Sequence, residues 1–224
     1  MNSNQKTARI IGVLFLLIFA IGVTMYQFLQ SPLFADNFIT ATAANATNII
    51  ISTVLGIVSG LISIMIAILL VPIFKQYSYK LALTYVAFCI LSCVMICIDN
   101  ISVLSLLDLS QAYVKGGGNT TDLFKLMGTL LYERHAWTHY LSLLVSCFPV
   151  FVLYFTMYAS KLIPKVISIF GMLAATLMLV EMTVSIFGHS ISMNMMIPMA
   201  LIQLILPIWL LIKGFNSSKD IVLE

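Results

Sequence analysis

The chain has 224 residues, 61% of them hydrophobic and only 8% charged. Soluble domains carry about 25% charged residues, so this composition excludes a water-exposed globule and makes lipid the solvent for most of the chain. The net charge of +3 is too small for a nucleic-acid-binding surface, and the placement of the basic residues matters more than their sum.

A transmembrane helix needs roughly 20 apolar residues. Six such stretches occur, at about residues 8–29, 49–74, 81–106, 136–158, 165–187 and 194–213. They predict an all-α integral membrane protein, a six-span transmembrane helix bundle forming one domain over residues 1–216, with a short cytoplasmic tail at 217–224. The first stretch follows Lys6 and Arg9 but is too long for a signal-peptide core and lacks a nearby cleavage site, so it reads as a retained signal anchor. In the second, Ser52, Gly56 and Gly60 form a small-xxx-small stripe, which packs within the monomer or joins copies into a homo-oligomer. In the third, Cys89, Cys93 and Cys97 recur every four residues, and Cys147 lies in the fourth; no thiol sits in a loop, so packing is expected rather than a disulfide.

The longest connection, 107–135, is expected outside the membrane. Gly116, Gly117 and Gly118 break it, Asn119, Thr120 and Thr121 offer N-caps, and Leu123, Phe124, Met127, Leu130 and Leu131 recur at helical spacing. This predicts a short amphipathic helix on the membrane surface or across the bundle mouth, as a connector or a lid. Residues 159–165 form a basic turn and 188–193 a tight one. Pro149, Pro198 and Pro207 interrupt the fourth and sixth spans.

Eight basic residues (Lys6, Arg9, Lys75, Lys80, Lys161, Lys165, Lys213 and Lys219) fall on one side of this layout, against Lys115, Lys125 and Arg134 on the other. The positive-inside rule then makes both termini cytoplasmic.

Ionisable groups are scarce and expensive inside a membrane. At 1.5 Å of rise per residue, Asp99 lies roughly 27 Å up the third span and Glu181 roughly 22 Å up the fifth. Asp99, Asn100, His139 and Glu181 therefore share a level and form a candidate outward-facing pocket for a small solute or ion. His135 and His139 stand four apart in Tyr132–Tyr140. With Glu181 they have the ligand types of a zinc site, which could activate water for hydrolysis. The alternative pairs His139 with Glu181 and leaves His135, Trp137 and Tyr140 as interfacial anchors. Met193, Met195, Met196 and Met199 near His189 are a thioether set suited to copper(I). Phosphate loops, dinucleotide fingerprints and serine nucleophile elbows are absent, so no cofactor is expected.

Four stretches together carry a likeness: Lys6-Thr-Ala-Arg9-Ile-Ile-Gly-Val-Leu-Phe, Ala82-Leu-Thr-Tyr-Val-Ala-Phe88, Ser160-Lys-Leu-Ile-Pro164-Lys, and Ile208-Trp209-Leu-Leu-Ile-Lys213-Gly214-Phe215-Asn216. In order and spacing the chain resembles the bacterial membrane family called domain of unknown function 4386. That resemblance implies a multi-pass protein of a bacterial cytoplasmic membrane and no particular activity. The chain departs from the family pattern where an Arg and a Glu are common in the third span (here Cys89 and Ser92), at Gln203-Leu204 and at Ala136. Three functions stay open: a non-enzymatic solute or ion binder, a structural or regulatory membrane partner, and a metal-dependent intramembrane hydrolase.

Overall fold

The computed structural model describes residues 3–117, 122–189 and 193–216. Within these residues the protein is all-α. Helix α1 (Ser3–Val23) runs on as a π-helix over Thr24–Leu29, and a 3-10 turn (Ser31–Phe34) leads to the short α2 (Phe38–Ala44). Then come α3 (Ala46–Phe74), α4 (Tyr79–Lys115), α5 (Asp122–Ala159), α6 (Lys165–Ile186), a 3-10 turn (Met193–Met196) and α7 (Ile197–Ile212). Five helical stretches, from Asn4–Leu29 to Lys165–Ile186, are long and apolar enough to cross a membrane, and the 16-residue α7 is apolar but shorter. The chain is built as a multi-pass membrane protein.

The long helices pack in a closed ring, α3 on α4, α4 on α5, α5 on α6, α6 on α7, α7 on α1 and α1 back on α3. Ile11, Ile66, Leu70, Phe74, Met157, Ile202 and Leu210 are buried in the shared interior, while Val13, Leu61, Ile68, Val94, Phe151 and Ile208 face outwards. Apolar side chains on both faces are what a lipid solvent allows and water does not. Small residues set the closest approaches. A Cβ on Gly60 would lie 2.7 Å from the Cys93 sulfur, and one on Gly56 would lie 3.1 Å from the Asn100 amide. The Ser52–Gly56–Gly60 stripe thus packs α3 on α4 within the chain. Gly171 of α6 lies against the buried ring of Tyr154 on α5, with no room for a methyl group.

The region expected as the connection 107–135 is a correction. Nothing in 107–115 stops a helix, so α4 continues to Lys115 and ends at Gly116, and α5 starts at Asp122. The expected separate amphipathic helix is the first part of α5. Leu33, Ile49, Val103, Leu106 and Leu107 form a second small core under this hairpin, walled by Phe38, Leu131 and Tyr132. The prolines also differ from expectation. Pro198 sits in the first turn of α7, where its missing N–H costs nothing, and Pro149 and Pro207 lie inside helices that continue through them. The tail 217–224 lies outside the described residues.

At the opposite end, which carries Lys6, Lys75, Lys80, Lys161, Lys165 and Lys213, three segments are clasped. Gln5 Nε2 donates to the Phe215 carbonyl (2.7 Å), and Asn216 donates through its backbone N–H to Leu162 O (2.8 Å) and through Nδ2 to Lys161 O (2.9 Å). Gly214 takes a left-handed φ of 74° directly beside the Gln5 side chain, a position closed to any other residue.

Gly171→Ala is expected to lower stability by about 1–3 kcal/mol through overpacking against Tyr154, read as a lower thermal midpoint in detergent. Gly22→Ala, at a site with open space around it, should leave the midpoint unchanged. Equal behaviour of the two variants would contradict the α5–α6 contact.

Candidate polar site at the hairpin end of the bundle

Asp99 and Asn100 are adjacent on α4, about 100° apart around its axis, so they serve different neighbours. Asn100 turns to α3 and donates from Nδ2 to the Thr53 carbonyl (2.9 Å). Asp99 turns to α5, where His135, Thr138 and His139 share one face at i, i+3 and i+4. With Asp99 as a carboxylate, His135 Nδ1–H donates to Oδ1 (3.0 Å), the Thr138 hydroxyl donates to Oδ1 (2.9 Å), and His139 Nδ1–H donates to Oδ2 (3.3 Å). Asp99 and His135 are buried and His139 is partly open.

The π-helical end of α1 supplies a fourth group. Its widened turn sets Tyr26 with the hydroxyl oxygen 3.4 Å from His139 Nδ1 and the ring edge-on to the imidazole, centroids 5.1 Å apart. Just beyond it the buried Gln30 donates to Ser52 Oγ (3.2 Å), which ties this end of α1 to α3. The polar residues therefore act as fasteners between α4 and α5, α4 and α3, and α1 and α3.

Both imidazoles turn Nδ1 to one carboxylate, so neither uses its Nε2 in these bonds. Such a triad can hold a proton and fix ring orientation. Glu181 is placed differently. It is 6% exposed on α6, its Oε2 has no hydrogen-bond partner among the described residues, and no bond joins it to His139. The zinc set His135, His139 and Glu181 is not assembled: no group of three or more His, Cys, Asp or Glu suited to a metal ion occurs among the described residues. For the copper set, Met199 is buried in the core with Met196 packed against it, while His189 Nδ1 lies 3.1 Å from the Phe187 carbonyl in its own turn.

Of the residues expected at one level, Asp99 and His139 thus come together with His135, Asn100 is committed to α3, and Glu181 stands apart from that hydrogen-bonded set. Thr138, Tyr26 and Gln30 enter the polar network without having been singled out in the sequence. Thr138 has a readable signal, since it lies one turn from His135 on the same face. Tyr26 has none, because the extra residue in a π turn rotates it in a way no spacing shows.

No curated protein and no solved structure matches the chain. A family model does, over residues 10–214, which takes in α1 from Ile10 onward and α3 to α7. The chain therefore belongs to the family described as Domain of unknown function (DUF4386).

Proposed function

We propose that this is a non-enzymatic six-span protein of a bacterial cytoplasmic membrane, with both termini cytoplasmic, that binds or passes a small cationic solute or ion on Glu181. The carrying observation is the state of that carboxyl group. It is buried, and its Oε2 has no donor among the described residues. A buried polar atom without a bond costs about 1–3 kcal/mol, more when charged, so the site gains most from an incoming donor or cation. Asp99 gains less from such a ligand, since three protein donors already meet it. The orientation is supported by the cluster of basic residues at the clasped end. The sixth span is supported by Met193–Met196 and α7 together, which fill the gap between α6 and α1.

One observation favours a second reading, in which the polar cluster serves only helix packing: Asp99 joins two long helices through three bonds from one face of α5. The hydrolase reading has no comparable support, because its three ligands do not meet.

Purified protein in detergent, screened by thermal shift against mono- and divalent cations and small amines, should show at least one stabilising compound whose effect disappears in Glu181→Gln. Absence of any shift, or a shift that survives Glu181→Gln, would sink the binding site. For the packing reading, a double-mutant cycle of Asp99→Asn and His135→Ala should give a coupling of about 1–3 kcal/mol. Additive effects would mean that the two side chains do not support each other.

A further inference from the structure

The α4–α5 hairpin outruns the bilayer. Counted from Ala159 at the clasped end, about 30 Å of hydrocarbon is used up near His139, and at a tilt of about 40° near residue 133. The first turns of α5 therefore stand outside the hydrocarbon, yet Leu123, Leu126 and Leu130 are 63, 58 and 56% exposed. The other face of these turns is satisfied. Phe124 meets Tyr113, Gly128 lies on Ile39, and Tyr132 packs on Phe38. A leucine stripe pointing away from its own bundle in water marks an interface.

The spacing of the stripe indicates its partner. Leu123, Leu130 and Trp137 recur at a seven-residue step with Leu126 between them, all exposed, which is the seam of a helix that pairs with a helix. Glu133 and Arg134 sit within the stripe, exposed and without an ion pair among the described residues. Lipid tails do not reach Leu123 to Leu130. Gly56 and Gly60, the stripe first suited to association, are occupied by Asn100 and Cys93 of the same chain.

We infer that α5 pairs in parallel with α5 of a second copy of this chain along Leu123, Leu126, Leu130 and Trp137. Copies inserted in the same sense close a dimer only around a two-fold axis along the membrane normal. On the same count Glu133 is the equivalent of Leu126, so that axis sets the two Glu133 carboxylates at the seam, each flanked by Arg134 of the other copy, which offsets their repulsion.

The test uses the full chain in native membranes, oxidised with copper phenanthroline. Leu130→Cys changes an exposed residue, and the four native cysteines lie within the spans, so wild type is the control. A disulfide needs Cα atoms within about 7 Å. A dimer-sized band is expected in Leu130→Cys and in Leu123→Cys, several-fold stronger than in Lys125→Cys on the flank. Adding Glu133→Arg to Leu130→Cys should weaken the band several-fold, and adding Arg134→Glu as well should restore it. No dimer band at either leucine position, an equal band at Lys125→Cys, or adducts of another mass in its place would overturn the pairing with a second copy. A band that stays weak after the charge reversal would overturn the reciprocal Glu133–Arg134 contact.

Discussion

Hydrocarbon supplies no hydrogen bonds, and the polar contacts within the spans answer to that absence. Many hydroxyls along the helices return to a carbonyl of their own helix. Ser110 donates to Leu106 O, Thr156 to Val152 O and Thr183 to Leu179 O. A carboxylate has no such recourse, because it only accepts and helical N–H groups are already used. Asp99 therefore depends on a neighbouring helix, and three consecutive donors on one face of α5 meet it. The seating of α5 on α4 and the position of Tyr26 beside them follow from that need. Glu181 breaks the rule, which is why it stands out.

Much of the architecture was readable because lipid demands apolar residues on the outside of a helix as well as the inside. Apolar runs therefore gave the positions of five long helices and of α7. The hairpin was not readable for the same reason. Hydropathy reports the solvent around a helix, and beyond residue 106 the solvent changes while the helix does not. Asp108, Lys115, Asp122 and Lys125 made that stretch look like a loop, although Gly116 and Gly117 did mark its turn. The site was legible in height and illegible in rotation. Counting residues put Asp99, His139 and Glu181 at similar depth, but which of them touch depends on the angle each presents around its helix. That angle follows from packing at glycines such as Gly56 and from the π turn at Tyr26.

Two of the four stretches that carried the family likeness meet in space. The Ser160–Pro164 turn and the Gly214–Asn216 end come together in the clasp with Gln5, the residue just before the opening stretch, where a left-handed glycine and two carbonyl-seeking amides hold them. Such geometry tolerates few residue types. The outward faces of the helices ask only for apolar bulk, and many sequences supply it.

The ring closes at its last member, and this has a consequence for how the protein is made. The ribosome delivers α7 after every other helix, so α1 waits in the bilayer without the partner that covers Gly12, whose nearest neighbours are Pro207, Leu210 and Leu211. Until Asn216 emerges, the nascent chain is an open arc rather than a closed bundle. Termination before Asn216 leaves that arc unlatched, a species prone to misassembly and degradation. Closure of the ring therefore waits on the synthesis of α7.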